Sequence, residues 1–433
     1  MNILKGKLGL RKLNILDATY PKWEIALVAV LLYLAPFTSS LLTYAAFALC
    51  AYRIVAYDAR VFVTDYALLL PMSQLFRANG MSLLIYVCLI ASVWYFVSGK
   101  LEKQYSYAIL LILLNYLVLR MQWNISGLVL CFGQLFMLCV MLPKQDEASA
   151  ERAIKMFCLS LLVSSMYAFV LRNTWQIAAV RGDEVAAFWG SSLRRFQGLF
   201  EDPNYYMTLL VTAMALLLRL FDCKKIEIIP VVLLEIIFTV FGALTYGKTF
   251  FILLLLLAFF GIVCLFMNKK YLLGSIFILI SLVAAWVLLS GNTIFSVVLQ
   301  RFSTADSLDA LTTGRSEVYA KYIDAITKNF SSLVFGAGFA AKNLGKDPHN
   351  LYLEIVYYLG ITGLLLMIAL CVAFVLAMRK RTGASKQNWL AKNLTIIMAV
   401  IMHFTLHGIF SMISYAVFFF AFLSILLVKR EET

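Results

Sequence analysis

Asp347-Pro348-His349-Asn350-Leu351-Tyr352-Leu353-Glu354 closes a long polar segment and opens an apolar run that continues to Met378. A membrane-crossing helix takes about 20 mostly apolar residues, and this run is long enough, so the chain reads as a membrane protein from this point outward. Asp347 reads as a helix N-cap and Pro348 as the first helical residue, which leaves His349 and Asn350 among the unpaired amides that open a helix. Such amides attract anions. The positive end of the helix dipole also keeps an imidazole neutral, the form a general base needs.

Similar apolar runs recur along the whole chain: Trp23 to Pro36, Leu41 to Tyr57, Met81 to Ser98, Tyr105 to Leu119, Ile125 to Leu142, Ala153 to Leu171, Asn204 to Leu220, Ile226 to Thr245, Thr249 to Met267, Tyr271 to Leu289, Leu390 to His407 and Phe410 to Val428. The 433 residues are 63% hydrophobic and 14% charged, with a mean hydropathy of +0.88, far more apolar surface than one soluble core would bury. The expected fold is an all-α polytopic integral membrane protein with about 12 to 14 transmembrane helices. Residues 1–22 read as a cytoplasmic basic tail without a cleavage site, and 23–433 as a single transmembrane domain.

The net charge of +14 is concentrated in short turns: Lys144 to Lys155, Lys224-Lys225, Lys269-Lys270, Arg379-Lys380-Arg381 and Lys429-Arg430. That is the pattern of cytoplasmic loops, and it argues against a nucleic-acid partner. With both termini on that side the number of crossings is even. Either Val61 to Phe76 is an extra, poorly apolar span, giving about 14, or one of the first two runs does not cross, giving about 12. The same rule puts loops 172–203 and 291–348 outside. The second contains a helix-like run, Ser316 to Phe330, expected to pack on the membrane-facing surface. The eight cysteines have no paired spacing and read as free thiols without a metal site.

On this topology three helices enter the membrane from outside with related signals: Arg195-Phe196-Gln197-Gly198 leading to Asp202-Pro203-Asn204, Tyr246-Gly247-Lys248-Thr249, and Asp347-Pro348-His349-Asn350. Three helix N-termini with Arg195, Lys248 and Arg315 within or near them would make a cationic pocket at the interface. Taken singly, Arg195 reads equally well as an interfacial anchor, Lys248 as a snorkelling helix-end lysine and Arg315 as a loop charge; the argument is their convergence. Glu354 lies four residues after Asn350 and either orients that site or pairs with a cation. His403 and His407, spaced i, i+4, read as helix-packing polar groups and not as half a metal site. Glu235, deep in an apolar run, is a functional candidate without an evident partner.

Arg195-x-x-Gly198 with Asp202-Pro203-Asn204, Gly314-Arg315, Gly336-x-Gly338, His349-Asn350-x-Tyr352-Leu353 and then Gly360 and Gly363 resembles the bacterial O-antigen ligase and O-antigen polymerase family, over roughly Arg194 to Leu366. Many members have Ser-Arg where this chain has Gly247-Lys248, which keeps the charge but not a bidentate phosphate contact. The resemblance implies a glycosyltransferase of the bacterial cytoplasmic membrane, working on its external side without metal or other cofactor. The implied donor is an undecaprenyl-pyrophosphate-linked oligosaccharide and the acceptor a growing glycan or a lipid. Arg195 and Arg315 would engage the pyrophosphate, His349 would deprotonate the acceptor hydroxyl, and Lys248, Asn350, Asn204 and Glu354 would contribute to substrate binding. Membrane lipids and a chain-length regulator are the further expected partners.

The motifs are shared by polymerases of O-antigen or capsule and by ligases that transfer a glycan to lipid A core. The polymerase is preferred, because nothing in the sequence suggests recognition of a large separate acceptor. A flippase for lipid-linked oligosaccharide would need a charged path through the membrane, whereas these charges gather at one face. A non-catalytic scaffold would leave His349 and the arginines replaceable.

Overall fold

The computed structural model describes residues 22–78, 81–99, 105–121, 125–184, 186, 193–267, 269, 315–339, 344–345, 347–382, 389–406, 408–409 and 411–428. The first tail, the Tyr271 to Leu289 run, most of loop 291–348, His407 and Lys429-Arg430 lie outside the described residues.

Regular structure among those residues is helical except for a two-residue antiparallel pair, Arg77–Ala78 with Met81–Ser82, and one isolated bridge between Ala186 and Arg194. The helices are α1 Lys22–Leu34, α2 Leu41–Ala56, α3 Ala59–Leu69, α4 Leu83–Ser98, α5 Tyr105–Met121, α6 Ile125–Met141, α7 Glu147–Val170, α8 Trp175–Arg181, α9 Pro203–Asp222, α10 Ile228–Ala243, α11 Lys248–Met267, α12 Arg315–Thr327, α13 Phe330–Phe335, α14 Leu351–Thr382, α15 Trp389–Met402 and α16 Met412–Ile425. Five helical segments are long and apolar enough to cross a membrane: Ile125–Lys144, Glu147–Val170, Pro203–Asp222, Lys248–Met267 and Leu351–Thr382.

Two ends of the bundle are recognisable from their polar contacts. At the lower end Arg60 reaches Asp146 (3.1 Å), Lys225 reaches Glu147 (2.5 Å), Lys144 donates to the Tyr95 carbonyl (2.7 Å) and Arg381 to the Pro143 carbonyl (2.7 Å). At the upper end Arg77 pairs with Glu201, Phe196 N–H donates to Leu244 O (2.9 Å) and Leu351 N–H to His403 O (3.0 Å). Among the described residues, runs whose termini make these contacts, such as α4 and the second part of α14, join the two ends. The basic turns that the sequence groups on one side, as far as they are described, do meet at one end.

The segment from Ala59 to Phe76 is one of these runs. Asp58 caps α3 through the Arg60 and Val61 amides at the lower end, and Phe76 O accepts from Leu83 N–H (2.8 Å) beside the upper hairpin. Its polarity is explained by the Arg53, Asp65 and Glu24 side chains. Arg53 forms a two-pronged contact with Asp65 (2.8 and 2.9 Å) and a third with Glu24 (2.5 Å), and all three side chains are buried. A buried guanidinium is tolerable only when paired and hydrogen-bonded in this way.

The fold's centre is α9, buried along most of its length against α7, α10, α11, α15 and α16. It begins as expected: Asp202 accepts from the Asn204 amide (2.7 Å) and Pro203 takes the first helical position.

Two features of α14 correct the sequence reading. It does not begin at Asp347-Pro348. His349 is left-handed (φ 47°), and the helix starts at Leu351 with Asn350 as its cap, the Asn350 side chain accepting from Leu353 N–H (3.1 Å). Nor is it one continuous helix. Gly360 (φ 68°, ψ −177°) interrupts it, leaving a short part, 351–359, and a second part, 361–382. Both ends of the short part touch upper-end groups: Leu351 meets His403, and the Leu359 carbonyl accepts from Tyr116 (2.6 Å). The short part therefore lies across the upper end. The second part, about 33 Å at helical rise, covers the bundle's length alone and ends beside Pro143.

Interrupting a helix orphans its last carbonyls. Here Ala337 N–H donates to Tyr357 O (2.7 Å), Gly338 N–H to Tyr358 O (3.0 Å) and Tyr116 to Leu359 O. The Gly336-Ala337-Gly338 stretch thus pairs with the break as a strand would. Gly336 and Gly338 are themselves at φ 77° and 76°, a region that suits glycine.

Candidate functional site

The upper end gathers two groups of the sequence-selected residues around the first turns of α9. In the first, Arg195 Nε donates to the Thr245 carbonyl (2.8 Å), which aims the guanidinium at the turn before α11. A Cβ placed on Gly247 would lie 3.4 Å from Arg195 Nη2 and 3.7 Å from Met207 Sδ. Arg195 and the N-terminus of α11, where Lys248 is the first residue, are therefore adjacent. The turn is tight: Tyr246 is left-handed (φ 49°) and Gly247 N–H bonds Thr245 Oγ1 (3.2 Å). A guanidinium beside a helix N-terminus is a setting for an anion.

The loop carrying Arg195 is held rigidly. A side chain on Gly198 (φ 59°) would fall 2.6 Å from the Tyr206 ring, whose hydroxyl bonds Ser165 Oγ (2.8 Å). Phe196 packs edge-on against Tyr206 and near-parallel to Phe241. Arg181 is buried beneath, donating to the carbonyls of Arg172 (2.9 Å) and Gly198 (3.5 Å) and pairing with Glu184 (2.7 Å); Gln197 donates back to the Arg181 carbonyl (3.2 Å). Burial lowers the Arg181 pKa from its ordinary value, against the opposing effect of Glu184.

In the second group Tyr205, on α9, hydrogen-bonds the Ser411 side chain and lies within electrostatic reach of Asp202, Glu354 and Asp347. Its hydroxyl is 3.0 Å from where a Cβ on Gly408 would sit. Glu354 takes the Gly408 and Ile409 amides on its two oxygens (2.6 and 3.2 Å), so it ties the short part of α14 to the turn between α15 and α16. Half-buried His349 stands directly before the Asn350 cap in this group. Asn204 and Asn350 lie at the starts of α9 and α14.

Arg315 is the residue that the fold does not bring in by contact. It opens α12 and makes no hydrogen bond or ion pair among the described residues. Helix α12 packs on the short part of α14 through Tyr322 against Tyr357, ring centroids 4.8 Å apart. Arg315 stands seven residues before Tyr322, about 10 Å up the helix. Glu235 has one buried carboxylate oxygen without a hydrogen-bond partner, and its role is not explained by its surroundings. His403 packs within the bundle, its ring nitrogens 2.6 and 3.1 Å from the Ala399 and Ser414 carbonyls and its face on Phe418. All eight cysteines are free.

Sequence reasoning passed over Tyr205, Arg181 and Arg120. Arg120 had a signal: it ends an apolar run on the side opposite the basic turns, where a lone arginine is unusual.

No protein-family model, curated protein or solved structure matches the chain.

Proposed function

We propose that the protein is a polytopic membrane glycosyltransferase that polymerises undecaprenyl-pyrophosphate-linked repeat units of a surface polysaccharide on the outer face of a bacterial cytoplasmic membrane. The observation that carries this is the adjacency of Arg195 to the start of α11, at the same bundle end as the His349 and Tyr205 group and opposite the basic turns. In this reading the described basic turns lie on the cytoplasmic side and the site on the opposite side.

In this reading the acceptor hydroxyl attacks the anomeric carbon of the donor. His349 takes the hydroxyl proton, the bond from that carbon to the pyrophosphate oxygen breaks, and the configuration inverts. The departing lipid pyrophosphate carries the developing charge, which Arg195, Lys248 and the α11 amides stabilise in a site shielded from water. Arg315, at the start of α12, is the second guanidinium assigned to that anion in this reading. Glu354 and Tyr205 hold the turn and the short helix that present His349.

The test is turnover of purified protein in nanodiscs with its lipid-linked repeat unit alone, resolved by gel. A ladder that His349→Ala abolishes in a folded protein supports the polymerase and the base. Product only on adding a lipid A core acceptor makes it a ligase, and a ladder that survives His349→Ala removes the base assignment. Silence in both, with carrier movement across vesicles, replaces the reading with a flippase.

A further inference from the structure

Arg120, at the upper end of α5, has no carboxylate partner among the described residues. Its guanidinium donates through Nη2 to the Gly336 carbonyl, and its Nε is buried with no acceptor. A guanidinium is always charged and offers five N–H donors in a planar fork. A half-buried one with a single carbonyl partner is short of both charge and hydrogen bonds, and an anion is what satisfies it.

The surroundings say what kind of anion. Gly338 approaches the guanidinium so closely that an added Cβ would lie 3.5 Å from Nη2. The next residue, Phe339, donates its amide to the Arg120 carbonyl (3.1 Å) and stacks face to face on Tyr358, centroids 4.7 Å apart and planes 6° apart. Both rings are half-buried, and Tyr358 abuts Tyr357, which in turn meets Tyr322. An arginine beside an aromatic platform offers a carboxylate partner and a flat apolar surface together, the two features of an acidic sugar ring. Tyr358 is also within electrostatic reach of Asp347 and Glu354, so the platform belongs to the upper-end site. From Asn350 to Tyr358 the short helix advances about 12 Å, a distance that a few linked sugars bridge.

We propose that Arg120, Phe339 and Tyr358 form a subsite for a uronic-acid-type sugar of the glycan, next to the reaction centre; this rests on the glycosyltransferase reading. Arg120 is then a specificity-determining residue. The same guanidinium straps Gly336 to the helix break, so its occupancy and the position of the short helix are linked.

The experiment uses the full chain in nanodiscs and two soluble hexasaccharides of equal length. One alternates glucuronic acid with N-acetylglucosamine, and the other is the same compound with its carboxyls reduced to alcohols. The acidic form is expected to bind about tenfold or more tightly, the order of a charge-assisted hydrogen bond, with the preference shrinking in high salt. Arg120→Gln, whose amide still donates to the Gly336 carbonyl, is expected to erase the preference, and Arg120→Lys to keep part of it. Equal binding of the two compounds by the unaltered protein overturns the subsite, and is also the result if Arg120 serves a lipid phosphate. A preference that survives Arg120→Gln overturns the assignment to this residue. Failure here is separable from failure of the enzyme reading. A ladder from a neutral repeat unit without acidic preference removes only the subsite, while Arg120-dependent binding without any transfer removes only the enzyme.

Discussion

Gly336 and Gly360, 24 positions apart in sequence, are in backbone contact: a Cβ on Gly336 would lie 2.5 Å from the Gly360 amide nitrogen, and one on Gly360 would lie 2.3 Å from the Val334 carbonyl oxygen. Both residues also have positive φ. Alanine at either position meets a backbone penalty of about 1–3 kcal/mol, because positive φ with ψ near 180° is a region that only glycine adopts readily, with the steric overlap added. Gly336→Ala and Gly360→Ala are therefore expected to lower the melting temperature in detergent and to reduce turnover. Unchanged melting for both would mean that the pairing of the 336–338 stretch with the helix break contributes little.

The buried Arg53 centre gives a prediction about stability alone. Arg53→Met strands two carboxylates in the interior, and breaking a buried pair costs about 3–5 kcal/mol. Glu24→Gln, which leaves the Asp65 contact whole and removes one negative charge, is expected to be far milder. Equal loss of folded protein from the two variants, measured by size-exclusion yield, would contradict this ranking.

Arg195 differs from an ordinary interfacial anchor in that its Nε is committed to Thr245 while the rest of the fork faces the α11 start. Arg195→Lys keeps the charge and loses that aim. Turnover is expected to fall by about 100-fold, the order seen when one charge-stabilising donor is removed, with melting unchanged. Activity at the unaltered level would return Arg195 to the role of an anchor.

The caps at the two helix starts are expected to separate. Asn350→Ala removes the bond to Leu353 N–H and Asp202→Ala the bond to Asn204 N–H; each is expected to cost about 1 kcal/mol. Asn350→Asp should restore stability, because a carboxylate oxygen caps as the amide oxygen does; a loss that Asn350→Asp leaves unrepaired would take the cap away from Asn350.

Much of the helix inventory was legible because hydropathy and charged turns are local properties of a chain. The Asp202-Pro203 cap was legible for the same reason, since every atom involved lies within three residues. The same letters at Asp347-Pro348 misled, because there the outcome depends on partners elsewhere: His403 O takes the Leu351 amide, and Asn350 becomes the cap. Whether Val61 to Phe76 crosses stays open in the sequence, because the partners that neutralise Asp65 lie on other helices, Arg53 directly and Glu24 through Arg53.

What the sequence by itself determined is which segments are helical and apolar, which turns share an end, and which polar motifs sit at helix starts. Only the tertiary structure decided that α14 is broken, that Arg195 faces the start of α11, that Glu354 accepts the Gly408 and Ile409 amides, and that Arg120 stands beside an aromatic platform. The physical reason is one of range. Burial and capping are written in neighbouring residues, whereas the carbonyls orphaned at Gly360 and the donors that satisfy them come from parts of the chain as distant as Tyr116 and Leu359.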